Sequence, residues 1–151
     1  MIKIICLGKI KEKFYQEAEK EYLKRLSKYT KIEIIELEDI KDSDINFTLT
    51  KEKENILNHL KPKDNIIILD IKGKSYTSEE FSHLINEELT YNSNITFIIG
   101  SSNGLHEDIK RLANKKVSFS SLTFPHQLFR VILLEQIYRG FKIINNEQYH
   151  K

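Results

Sequence analysis

A chain of 151 residues with one cysteine, 40% hydrophobic and 30% charged, suits one compact domain (1–151) with a real core. It is not disordered, and its longest apolar runs, such as Val131–Leu134, fall far short of a membrane span. Cys6 alone excludes an internal disulfide or a cysteine zinc site, and a reducing, cytoplasmic home is expected. The net charge of +2 hides a segregation. Residues 1–31 carry nine Lys/Arg against four Asp/Glu and residues 101–151 eight against four, whereas 33–54 carry three against eight. Two basic ends around an acidic middle would let the folded chain offer a polyanion one basic face. Charge alone does not separate that reading from ordinary solvated surface.

In chain order, Ile2–Leu7 is a short apolar run ending at Gly8, and it reads as a first strand and not as a signal peptide. Lys11–Tyr29 places Tyr15, Ala18, Tyr22, Leu26 and Tyr29 at helical spacing. Ile32–Leu37 alternates apolar and acidic residues, which predicts a strand. Thr48–Leu60 predicts a helix closed by Pro62. Asn65–Ile71 and Asn94–Ile99 are continuous apolar runs of the kind buried on both faces of a parallel sheet. Between them a helix opens at Ser78 and runs to about Leu89. A short helix from His106 to Ala113 and a strand near Lys116–Phe119 follow. The last helix starts near Pro125 and runs through Gln127–Ile144. It is apolar on most sides, so a second side must be buried, and a subunit interface is expected. The expectation is one α/β domain with a mainly parallel sheet, forming a homodimer.

Ligands of parallel sheets bind at the carboxyl ends of strands, and three such ends stand out. Gly73-Lys-Ser75 resembles part of a phosphate-binding loop, but the required glycine five residues earlier is Ile68, which excludes that motif. Ile99-Gly-Ser-Ser-Asn-Gly-Leu105 offers small residues that let a ligand approach the backbone; a tight turn explains it equally well. It is not a GxGxxG dinucleotide loop. Ser118-Phe-Ser-Ser-Leu-Thr-Phe-Pro-His-Gln127 combines hydroxyls with flat apolar surface, a mixture that suits an adenosine group, or it simply caps the last helix.

These segments, with Arg130, Glu135-Gln-Ile-Tyr-Arg139, the closing Tyr149-His-Lys151 and the opening Ile5-Cys-Leu-Gly-Lys-Ile-Lys-Glu-Lys13, strongly resemble the ribosomal RNA large subunit methyltransferase H family of the SPOUT superfamily. The resemblance covers nearly the whole chain. It implies a knotted SPOUT-type α/β fold with a deep C-terminal trefoil knot, a homodimer, and S-adenosyl-L-methionine as cofactor. It also implies methylation of N3 of a pseudouridine in 23S rRNA of the large ribosomal subunit. Carried over by position, the cofactor contacts would be Leu69, Gly100, Phe119, Ser120, Ser121, Leu122, Thr123 and Phe124. The chain departs from the family at Ser101, where a second glycine is usual, and at Gly140, where alanine is usual. Serine would strain the loop if that position needs a positive φ.

A sulfonium already carries an activated methyl group, so the reaction needs no metal, and the five histidines show no ligand spacing. His126, beside the cofactor loop, could orient or deprotonate the target base, or merely cap its helix. Arg130 could hold a phosphate or the uracil carbonyls; a surface salt bridge is the plainer reading. Glu135 and Arg139 have the spacing of an intrahelical pair. Tyr149 and His150 lie in a polar tail that would ordinarily fray. The resemblance alone makes Tyr149 a stacking residue and His150 a candidate base, both across the dimer interface. Lys9, Lys11 and Lys13 are candidate RNA phosphate contacts. The alternative function is a non-catalytic ribosome-binding module with a vestigial cofactor pocket.

Overall fold

The computed structural model describes residues 1–151. Strands and helices alternate: β1 (Ile2–Leu7), α1 (Lys13–Leu26), β2 (Ile32–Leu37), α2 (Ile45–Leu57), β3 (Ile66–Ser75), α3 (Ser78–Asn92), β4 (Ile95–Ile99), α4 (Glu107–Leu112), β5 (Lys115–Ser118) and α5 (His126–Ile144). All sheet pairings are parallel, in the order β2-β1-β4-β3-β5. The three central strands are the continuous apolar runs, because both their faces are covered. Ile2, Ile4, Ile67, Leu69, Ile95 and Phe97 point into one core with Leu133, Ile137 and Phe141 of α5. Their neighbours Ile5, Ile68 and Ile98 point the other way, against Ile56 of α2 and Ile109 of α4. The edge strand β2 is only half-buried, which is why its sequence alternates.

Several boundaries shift for local reasons. The α1 helix starts at Lys13, not Lys11: Glu12 is extended, with ψ 127°, and the Lys11 and Glu12 N–H groups donate to Gln127 Oε1 at 2.8 and 3.1 Å. The α2 helix starts at Ile45, earlier than its apolar spacing indicates, because the Asp44 side chain accepts from the Asn46 and Phe47 N–H groups. Thr77 and Glu80 form a capping box that opens α3. The β3 strand continues to Ser75 after a bulge: Leu69 and Lys74 both pair with Val117. Gly140 faces α3, where an added Cβ would lie 3.1 Å from Ile85 Cδ1. Its helix-propensity cost of about 1 kcal/mol thus accompanies close packing of α5 on α3.

Lys3 looks misplaced in an apolar strand. Its Nζ donates to Asp64 Oδ2 at 2.7 Å and to the His59 carbonyl at 2.8 Å, and both members of the pair are about nine-tenths buried. Asp64→Ala would strand the buried ammonium and is expected to cost about 3 kcal/mol in urea unfolding. Removing both charges by Lys3→Met with Asp64→Ala should cost less than the single change.

Candidate functional site

A cavity of about 420 Å³ opens between the bulge of β3 and the ends of β4 and β5. Leu69, Asp70 and Ile71 line it from β3; Gly100, Ser101, Ser102, Gly104 and Leu105 line it from the loop after β4. Phe119, Ser120, Leu122, Thr123 and Phe124 follow β5, and His126 and Phe129 begin α5. Lys110 reaches it from α4. Its size and mixed lining fall in the range of small-molecule sites.

The Gly100–Gly104 loop is a tight turn and a cavity wall at once. Ser101 and Gly104 pair, with the Gly104 N–H donating to the Ser101 carbonyl at 2.9 Å. A Cβ on Gly100 would lie 2.6 Å from the Gly104 carbonyl oxygen, so only glycine permits the closure. The positive φ falls on Gly104, at 81°, and not on Ser101. Serine is therefore unstrained there. It is also used: Ser101 Oγ donates to Glu52 Oε2 at 2.9 Å, and both residues are buried. Burial pushes the Glu52 carboxyl above its ordinary value; the Ser101 hydroxyl and the Ile40 N–H counteract this, and Asp39 reinforces it.

The second loop is held by its own hydroxyls. Ser120 Oγ accepts from the Leu122 N–H at 2.9 Å, and Ser118 Oγ donates to the Ser120 carbonyl at 3.2 Å. Phe119 meets Phe81 edge-on at 5.3 Å between centroids and Phe129 at 5.4 Å, while Phe124 stacks on Phe129 at 6.3 Å. Phe119, Phe124 and Phe129 of this cluster line the cavity, with Phe81 behind them in the core. Of the eight residues expected at the cofactor, seven line the cavity; Ser121 is exposed outside it.

The residues expected to do chemistry are distributed differently. His126 lines the cavity. Arg130 turns away from it: Nη1 donates to Glu36 at 2.7 Å and Glu19 at 3.1 Å, and Nη2 donates to the Gly8 carbonyl at 2.9 Å. The plainer reading, a salt bridge, is seen, but it is buried and not at the surface, since the Arg130 side chain is 3% exposed. It borders a narrow cleft beside the cavity with Lys9, His126 and Gln127. Cys6 lies in the same cleft, and burial pushes its thiol up to about 12, which leaves it unreactive at neutral pH.

The tail is docked, not frayed. Tyr149 Oη donates to Glu135 Oε1 at 3.1 Å, and the Arg139 guanidinium lies 4.7 Å from the Tyr149 ring centroid. Burial, with Glu135 beside it, raises the phenol to about 12, so it stays protonated. His150 Nε2 lies 2.8 Å from Glu79 Oε1 and its Nδ1 3.1 Å from Arg139 Nη1. Glu135 and Arg139 form the expected pair at 2.6 Å. Neither Tyr149 nor His150 lines the cavity of its own chain. Lys9, Lys11 and Lys13 are exposed, on a segment that Gln127 pins to the start of α5 next to His126.

Asp70, Lys110, Phe129 and Glu52 were not among the expected site residues. Asp70 was traceable, since it follows Leu69 directly at the end of a buried run. Lys110, Phe129 and Glu52 sit in ordinary helical sequence with no local signal. No group of three or more His, Cys, Asp or Glu is placed to hold a metal ion, and no helix is long and apolar enough to cross a membrane.

A parallel α/β sheet with a nucleoside-sized cavity among its strand-end loops defines the class, and comparison with known proteins defines the family. Residues 1–150 match the family described as predicted SPOUT methyltransferase, and the chain belongs to it. It is 49% identical to a protein of Caldicellulosiruptor saccharolyticus over 100% of both chains. It is 58% identical to one of Clostridium botulinum, strain Kyoto, over 99% of both. Each of these relatives is named ribosomal RNA large subunit methyltransferase H.

Gly100→Ala should displace the Gly104 backbone, costing roughly 1–3 kcal/mol in urea unfolding and distorting the cavity wall. Glu52 supplies a pH test. Its unfolded value is near 4.5 and its folded value is higher, so above that pH the unfolded chain loses the proton first. Stability should fall as pH rises through the folded value, and Glu52→Gln should remove that fall. Urea titrations from pH 4 to pH 7 on both proteins measure it.

Proposed function

We propose that this chain is an S-adenosyl-L-methionine-dependent methyltransferase acting on N3 of a pseudouridine in 23S rRNA of the large ribosomal subunit. The observation that carries the reading is the convergence of the loops 100–105 and 119–124 on one cavity. The names of its full-length relatives supply the substrate class. The lining fits the cofactor: an aromatic wall for the adenine, hydroxyls from Ser120 and Thr123, and close backbone approach at Gly100. Leu69, Gly100, Phe119, Ser120, Leu122, Thr123 and Phe124 would hold it, with exposed Ser121 near the mouth. When bound, it supplies an activated methyl group on a sulfonium, and no metal is required.

What remains for the protein is to align the target nitrogen and take its proton. Alignment contributes roughly 7–11 kcal/mol in well-oriented systems. A general base typically contributes about 10²–10⁴-fold. Positioning therefore carries more of the rate. His126, on the cavity wall, is the base-orienting group nearest the cofactor loop. Tyr149 and His150 serve the partner subunit's cavity, with Tyr149 stacking on a base and His150 as proton acceptor. Arg130, held by two carboxylates, acts by fixing the Gly8–Lys13 segment. Lys9, Lys11 and Lys13 on that segment contact RNA phosphates.

The homodimer belongs to the same proposal, and α5 supports it. Leu128, Val131, Ile132 and Ile144 remain partly exposed after Leu133, Leu134, Ile137 and Phe141 are buried in the chain's own core. A second copy is the partner of matching chemistry. One domain spanning 1–151, its trefoil knot and a cytoplasmic workplace complete the reading.

Ribosomes from cells lacking the protein should accept labelled methyl from S-adenosylmethionine, and nucleoside mass spectrometry should place it on N3 of one pseudouridine. Binding of the cofactor without any incorporation would favour a ribosome-binding module that has lost catalysis. Because positioning carries most of the rate, free 23S rRNA, which lacks the fixed shape of the ribosome, should be a poorer substrate than ribosomes. Robust turnover of a short hairpin would contradict that.

A further inference from the structure

Asp70 is the only carboxylate on the cavity wall. It stands where β3 leaves its register with β5, at the bulge between Leu69 and Lys74. Its Oδ1 accepts from the Lys72 N–H at 3.0 Å, which fixes the plane of the carboxylate. Its Oδ2 lies 3.9 Å from Lys110 Nζ, inside ion-pair range but beyond hydrogen-bond reach. A carboxylate oxygen is an acceptor only, so Oδ2 remains able to accept hydrogen bonds. Its chain neighbours Leu69 and Ile71 cannot donate from their side chains. On the cavity wall, Oδ2 is therefore open to hydrogen-bond donors of a bound molecule.

The nearby charge narrows the choice. Lys110 already balances Asp70, and it also approaches Glu107 at 3.3 Å. An incoming ammonium at Oδ2 would lie close to the Lys110 ammonium and be repelled by it. Neutral hydroxyls suffer no such penalty, and two vicinal hydroxyls can share one carboxylate. An acidic residue that takes the ribose hydroxyls of a nucleotide beside a parallel strand is a recurring solution in other α/β folds. We infer that Asp70 recognises the ribose diol of the nucleoside bound in this cavity, with Lys110 holding its charge and the Lys72 N–H its orientation. The inference rests on the cofactor reading above and names the residue that makes the site selective for a ribonucleoside.

Isothermal titration calorimetry tests it, using S-adenosylhomocysteine, its 2′-deoxy and 3′-deoxy analogues, and 5′-methylthioadenosine. Hydrogen bonds to charged groups are worth enough that wild-type protein should lose about tenfold or more in affinity when a hydroxyl is removed. Asp70→Asn keeps an acceptor for the Lys72 N–H but turns the free oxygen into a donor. It should bind S-adenosylhomocysteine about tenfold or more weaker and become nearly indifferent to the missing hydroxyl. The same factor should appear with 5′-methylthioadenosine, which keeps the ribose and lacks the amino-acid end. Equal wild-type affinity for parent and deoxy ligands would overturn the inference without using any variant. So would full hydroxyl discrimination in Asp70→Asn, or a loss confined to S-adenosylhomocysteine, which would move Asp70 to the amino-acid end. Failure of wild-type protein to bind any of these ligands would instead remove the cofactor reading itself.

Discussion

Parallel pairing sends the carboxyl ends of all five strands to one edge of the sheet, and the functional architecture follows from that. Each parallel connection must cross back over a face of the sheet, so helices cover both faces and the central strands become largely apolar where they are buried. Chemistry is thereby confined to the loops at the strand ends. In this chain the bulge of β3 and the ends of β4 and β5 enclose the cavity, while the end of β1 carries the basic segment beside it. The cavity is a consequence of topology before it is a consequence of particular side chains.

Polar ties at that edge then fix the loops relative to one another. Arg130 joins the start of α5 to Gly8 after β1, to Glu36 on β2 and to Glu19 on α1. Gln127, almost a turn earlier, takes two N–H groups of the Lys11–Glu12 segment. Glu52 does the same on the other face, meeting Ser101 of the glycine loop. Buried charges of this kind are costly to desolvate and contribute little net stability, whereas their geometry is demanding. Holding a ligand cavity to a narrow range of shapes is a task suited to them.

The carboxyl end of the chain carries a different constraint. The Glu135 carboxylate receives both Arg139 and the Tyr149 hydroxyl, so one side chain on α5 orders a tail that its composition would leave loose. Tyr149 also packs edge-on against Tyr138, with 4.9 Å between centroids. The tail is thus presented on the same helix whose apolar side remains incompletely covered. The docked tail therefore lies beside a helix face that the chain's own core leaves partly exposed.

Much of this was legible in the residues themselves. The continuous runs at β3 and β4 mark doubly covered strands, because only apolar side chains tolerate burial on both faces. The hydroxyl-rich, aromatic loop after β5 offered a mixture suited to an adenosine group, with a helix cap as the alternative, and the structure puts it on the cavity wall. Its resemblance to a known family named eight contacts, of which seven line the cavity. What local sequence could not carry was the direction in which side chains turn. Arg130 and His126 lie about one helical turn apart, yet one is buried against Glu36 and the other faces the cavity. The serine at 101 looked like a strained departure and is an unstrained partner of Glu52, a residue far away in the chain. Lys110, and Glu52 through Ser101, reach the cavity only once strands and helices are stacked, since their contacts join segments that periodicity treats separately. Composition and spacing determined the elements and the chemistry available to them. The tertiary structure decided which polar groups were spent on holding the loops and which were left to meet a ligand.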